Sequence, residues 1–158
     1  MAYQKKYLEL AAKEARGNVG TQIGGTFGSV IVKNNQLIAK AHNQVLQRHD
    51  PTAHGEINAI RQACQKLGTH DLSGCELYTN AYPYPMCLGA IIWSNIKTVY
   101  YGNTAQDAAA IGFRDDFIYQ FVKGDCHDTA VLNLTQHDRS STIKAFQAFA
   151  NNPAAKIY

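Results

Sequence analysis

Apolar and polar positions along this chain follow two periods, and the period changes several times. Over residues 2–16, Tyr3, Tyr7, Leu10 and Ala11 recur at i, i+4 and i+7/8, the spacing of one helix face, and Gly17 ends the run. Glycines then cluster in IGGTFGS at 23–29, and FGSVIV follows as a β-branched strand. The polar KNNQ reads as a turn and LIAKAHN as the returning strand of a hairpin. Asp50-Pro51 is a helix start, with aspartate as N-cap and proline in the first helical position. That helix carries Ile57, Ile60, Cys64 and Leu67 on one face and stops at Gly68. CELYTN is a strand, Pro85 opens a helix running to about Asn95, and KTVYYGN is the next strand. Short helices are expected near 105–111 and 115–123, a last strand at TAVLNLT, and a last helix over 141–151 with Ile143, Phe146 and Phe149 turned inward.

The expected order is thus α-β-β-α-β-α-β-α-α-β-α. Helices interleaved with strands imply an α/β fold, a three-layer α/β/α sandwich around a mixed five-stranded sheet. With 158 residues, no repeat and no linker, the chain is expected to form one domain, 1–158. Hydrophobic content of 46% and charged content of 17% fit a globular protein with a full core. A net charge of +3, with only Lys5-Lys6 adjacent among the basic residues, provides no basic stripe for nucleic acid. No apolar run has the length of a membrane span, and MAYQKKYLELAAKEARG lacks a signal-peptide core. Cys64, Cys75, Cys87 and Cys126 form no CxxC pair, so the expectation is reduced thiols in the cytoplasm.

Two short stretches could carry chemistry. In DPTAHGEINAIRQAC, His54 and Glu56 lie near a helix start. Two residues are about 200° apart around a helix, so the pair serves one site only across the helix end. Taken alone, H-x-E is a weak signal, and the leading reading is a surface histidine and a first-turn glutamate favoured by the helix dipole. Cys87 in the first turn of the following helix reads either as a thiolate site or as a small buried hydrophobe. The pairing is more informative. Each motif follows a strand and opens a helix, and they are one α-β unit apart, which brings two helix N-termini to one end of the sheet. H-x-E followed by P-C-x-x-C is the zinc deaminase signature, in which histidine and two thiolates hold zinc and the glutamate moves protons.

The chain resembles the bacterial guanine deaminases of the cytidine/deoxycytidylate deaminase superfamily. The likeness lies in GG-x-FG-x-VIVK at 24–33, HN at 42–43, DPTAH-x-E-x-NAIR at 50–61 and YT at 78–79. It continues in PMCLGAI-x-W at 85–93, GF-x-D-x-FIY at 112–119, and FQAFAN followed by a terminal tyrosine at 146–158. The resemblance implies hydrolytic deamination of a purine base. It makes His54 and Cys87 zinc ligands and Glu56 the proton shuttle, with Asp115 assisting catalysis. It puts Phe27 against the purine as a stacking partner and Asn43 beside it as a hydrogen-bonding one, with Trp93 and Tyr158 also at the substrate. It further implies a homodimer in which a tail of about 141–158 is exchanged between subunits. Each residue also has a plain structural reading: Phe27 as core, Asn43 as a strand end, Asp115 as a helix-start charge.

The departure from the pattern is local. Where the family reads approximately T-S-C-E-P-C-P-M-C, this chain reads Thr79-Asn80-Ala81-Tyr82-Pro83-Tyr84-Pro85-Met86-Cys87, so Tyr84 stands at the first zinc cysteine. Tyr82 replaces the usual glutamate and Gly55 the usual alanine. A phenol with a reference pKa near ~10 is a poor ligand at neutral pH, and its oxygen lies further from the backbone than a cysteine sulfur. Zinc is therefore expected to bind weakly or not at all. Two functional readings stay open: a guanine deaminase with weakened zinc, and a metal-deficient pseudo-deaminase that binds a purine or a partner. A tRNA adenosine deaminase or a cytosine/cytidine deaminase shares the signature but fits the charge and the tail less well.

Overall fold

The computed structural model describes residues 2–158, which divide into two compact units, up to Asp116 and from Phe117 to Tyr158. The first unit opens with helix α1, Lys5–Arg16, followed by strands β1, Gly28–Lys33, and β2, Gln36–His42. Next come α2, Val45–Arg48, α3, Gly55–Leu67, β3, Cys75–Ala81, α4, Pro85–Trp93, β4, Thr98–Asn103, and α5, Ala105–Ala110. Helix α6, Asp116–Lys123, and helix α7, Arg139–Ala150, complete the described elements.

The sheet is mixed, as expected, but its order is β2-β1-β3-β4, four strands rather than five. β1 pairs antiparallel with both β2 and β3, and β3 pairs parallel with β4. The hairpin turn falls on Asn34 and Asn35, both with positive φ (49° and 61°). Consecutive left-handed residues are what a two-residue turn needs to match strand twist, and asparagine tolerates that conformation. Tyr7 donates to the Asn35 carbonyl at 2.7 Å and ties α1 to the turn.

Strand alternation builds two cores. Val30, Val32 and Tyr78 meet Tyr7, Leu8 and Leu10 of α1 on one face. Ile31 and Leu77 meet Ala59 and Ala63 of α3 and Ile91 of α4 on the other. This is the expected three-layer α/β/α arrangement.

Three sequence expectations are corrected. TAVLNLT, 129–135, is not a strand: its backbone turns on Asp128, which accepts from the amides of Val131 and Leu132, and the three large apolar side chains are exposed. β-propensity without a neighbouring strand does not make one. The helix after Asp50-Pro51 begins at Gly55, because the Asp50 carboxylate accepts from the Thr52 amide and hydroxyl and closes a turn first. In α7, Phe146 and Phe149 are exposed rather than turned inward.

Candidate active site

The displaced helix start decides the geometry of the site. His54 becomes the N-cap of α3, in extended conformation, and Glu56 lies in its first turn. A residue just outside the helix and one just inside it can converge where two helical residues two apart cannot. α4 repeats the arrangement: Tyr84 is its N-cap, Pro85 opens it, and Cys87 lies in its first turn.

The two helix ends meet. His54 Nδ1 is 3.6 Å from Cys87 Sγ, and the Cys87 thiol donates to Glu56 Oε2 at 3.5 Å. One ligand atom from each of His54, Glu56 and Cys87 lies within 4.8 Å of the others. Glu56 is buried and held from below by Thr79, whose hydroxyl donates to Oε1 at 2.9 Å, while Ser29 donates to the Thr79 oxygen at 3.1 Å. Ser29 and Thr79 were not singled out as site residues from sequence. Their only signal is inward position on adjacent strands, shown by the pairing Ser29↔Thr79.

Burial lowers the His54 pKa, partly offset by Glu56, so the ring is neutral and able to coordinate at neutral pH. Burial, then the charge and hydrogen bond of Glu56, push the Cys87 thiol upward. The Tyr84 phenol is raised to about 12 by burial first and then by Asp115, Glu56 and Cys87. Asp115 is itself raised, mainly by burial.

These donors fit two corners of a zinc site. Bonds of about 2.0–2.1 Å to nitrogen and 2.3 Å to sulfur at the tetrahedral angle give an N···S edge of about 3.5 Å, close to the His54–Cys87 separation. Beside these donors stands Tyr84, the N-cap of α4. Its ring lies edge-on to His54, with centroids 5.6 Å apart, and to Phe27, at 5.9 Å, and it packs on Ala81 and Ala108. Its hydroxyl is buried with no hydrogen-bond partner.

The other expected residues separate into two sets. Phe27 is buried, 5.0 Å from the Phe113 ring centroid, and its carbonyl accepts from the Asn43 amide at 2.9 Å. Asn43 is also buried, and its Oδ1 accepts from Val45 N–H at 3.0 Å, which commits the amide oxygen and leaves its NH2 to donate. Asp115 is close enough to act on the Tyr84 phenol. Trp93 is not part of this cluster: it ends α4, opposite Cys87, and is 71% exposed. Tyr158 belongs to the second unit and is 83% exposed.

Residues 1–103 match the cytidine and deoxycytidylate deaminase zinc-binding region. The chain belongs to that deaminase family. This deaminase is 43% identical over 149 residues to the guanine deaminase of Bacillus subtilis (strain 168), covering 92% of this chain and 94% of the relative. It is 37% identical over 148 residues to a tRNA-specific adenosine deaminase of Agrobacterium fabrum, covering 92% and 95%. The X-ray structure of guanine deaminase from Bacillus subtilis superposes with a TM-score of 0.91 at 39% identity, over 99% of both chains. A solved structure of a complex with 2,6-diaminopurine superposes with a TM-score of 0.66 at 34% identity, over 72% of this chain and 64% of that one. Among the described residues, no helix of the deaminase is long and apolar enough to cross a membrane.

Proposed function

We propose that this deaminase converts guanine and water to xanthine and ammonia, with zinc held less tightly than a full His-Cys-Cys set would hold it. The observation that carries the reading is the convergence of His54, Glu56 and Cys87 at two helix N-termini. The similarity to the Bacillus subtilis guanine deaminase over nearly the whole chain and the fold shared with a 2,6-diaminopurine complex support a purine base as substrate.

In this reading His54 Nδ1 and Cys87 Sγ hold the metal. What zinc supplies when bound is a water acidified toward pKa ~7. Glu56, fixed by Thr79, would take the two protons of that water in turn, giving the first to the ring nitrogen and the second to the amine, which leaves as ammonia while the water's oxygen becomes the new carbonyl. Phe27 provides an aromatic wall and Asn43 donates to an acceptor on the purine. Asp115 assists proton transfer from the side of Tyr84. Tyr158 would reach the substrate from the exchanged tail of a homodimer; Trp93, exposed at the far end of α4 from Cys87, has no part in this reading. Structural zinc with four ligands is worth roughly 10–16 kcal/mol. Losing one strong ligand at position 84 costs about 3–5 kcal/mol, or roughly a hundred- to several-thousand-fold in affinity.

The cytoplasm is the compartment this reading favours, since all four cysteines are free thiols. The buried, unpartnered Tyr84 hydroxyl favours a second reading, in which the ring plugs the metal position and the protein binds a purine without turnover.

Metal content and ammonia release from guanine, with zinc supplied, separate the two. Turnover that rises with added zinc and disappears in Glu56→Gln supports the deaminase. No turnover at saturating zinc, with 8-azaguanine still bound, supports the second reading. Release of ammonia from tRNA adenosine but not guanine would overturn both.

A further inference from the structure

Phe27 lies in the glycine-rich stretch just before β1; on the β2 side its carbonyl accepts from the Asn43 amide at 2.9 Å, but on the β3 side no ladder rung reaches it. Its position depends on side chains from elsewhere in the fold. The β1–β3 ladder ends at Ser29↔Thr79, and the next rung in register would pair Gly28 with Asn80. The Asn80 side chain takes over that rung: Oδ1 accepts from Gly28 N–H at 2.9 Å, and Nδ2 donates to the Thr26 carbonyl at 3.1 Å. One amide therefore grips the backbone on both sides of Phe27. A serine, as in the family pattern at this position, carries its donor and acceptor on one short hydroxyl and cannot span both backbone groups.

A second amide ties the same stretch to Asn43. Asn18, 3% exposed in the turn after α1, donates from Nδ2 to the carbonyls of Gly25 and Asn43, both at 2.8 Å. Contact between the two strips is close: a Cβ on Gly24 would stand 2.1 Å from Asn43 Oδ1 and 2.9 Å from its carbonyl oxygen. Buried backbone groups outside regular structure need such partners, and here two asparagines provide them.

We propose that Asn80 and Asn18 are positioning residues for the purine: they lock Phe27 and Asn43 into one rigid cradle and so set base affinity without touching the base. This inference rests on the purine-deaminase reading above. Ligand affinity gains when the receiving groups are ordered beforehand, because less freedom is lost on binding. Loss of either clamp therefore weakens the purine complex while leaving the metal ligands in place.

The test is calorimetric titration of the zinc-supplemented protein with 8-azaguanine, alongside metal content and unfolding temperature. Asn80→Ala and Asn18→Ala are expected to raise the Kd tenfold or more at unchanged metal content. In turnover, KM rises by a similar factor with kcat within about threefold. Val32→Ala, in the core beneath α1 on the other face of the sheet, provides a comparator for simple loss of stability and is expected to leave the Kd within twofold. Where an alanine variant does not fold, Asn80→Asp keeps the acceptor for Gly28 and removes the donor to Thr26; a several-fold rise in Kd is expected. Variants with wild-type Kd, or a comparator that weakens binding as much, overturn the inference and leave the purine reading standing. A wild-type protein that does not bind 8-azaguanine overturns both.

Discussion

At position 84 a tyrosine is the N-cap of α4, and the proposal that it stands where a zinc thiolate would has measurable consequences. With its pKa pushed up to about 12, chiefly by burial, the phenol is protonated at neutral pH in the metal-free protein. Tyr84→Cys is expected to tighten zinc binding a hundredfold or more, read by competition with a chromogenic chelator. The ring packs on Ala81, Ala108 and Phe27, so its removal also opens space in that cluster and lowers the unfolding temperature of the metal-free protein. Glu56→Gln keeps the shape and the hydrogen bond from Thr79 but removes the base. Its expected outcome is loss of turnover by a factor of about 10²–10⁴, with metal content within twofold of wild type.

At the scale of elements, the local rules that position the site can be tested one by one. α5 begins with a reciprocal cap: Thr104 Oγ1 accepts from the Asp107 amide, and Asp107 Oδ2 accepts from the Thr104 amide. Thr104→Ala is expected to destabilise the protein by about 1 kcal/mol, read by urea denaturation. The same cap lowers the Asp107 pKa, chiefly through the Thr104 amide bond. A carboxyl depressed on folding contributes stability above its unfolded pKa, and that contribution is lost as pH falls through the folded value. The difference in unfolding temperature between wild type and Asp107→Asn is therefore expected to be present at pH 7 and to shrink below about pH 4. Much at this scale was legible in the sequence. Asparagines in KNNQ announced the hairpin, and Gly68, with φ of 66°, announced the end of α3. Asp50 misled, because its side chain closes a turn of its own and delays the helix to Gly55. That delay makes His54 an N-cap, so the error in the helix boundary and the geometry of the site have one cause.

At the scale of the whole molecule, the unit from Phe117 to Tyr158 carries Phe146, Phe149 and Ile157 at 75%, 47% and 87% exposure. A short segment presenting that much apolar surface is a poor candidate to stand uncovered in water. The homodimer proposed above, with its tail exchanged between copies, would cover it. Light scattering coupled to size-exclusion chromatography is expected to show a dimer. Deleting 141–158 is expected to yield monomer or aggregate; a wild-type monomer at high micromolar concentration would count against the arrangement.

The sequence by itself determined the family, the order of most elements, and the residue types of the centre: His54, Glu56 and Cys87 stand in a spacing few other chemistries use. It determined them because hydrophobic period, turn residues and ligand types are local properties, written within a few positions of one another. Only the tertiary structure decided that Thr79 holds Glu56, that Trp93 lies away from the centre, and that Asn80 and Asn18 grip Phe27 and Asn43. Those contacts join residues up to 54 positions apart. Sheet register and helix docking create them, and an asparagine poised to complete a missing rung reads in the chain as any other polar residue.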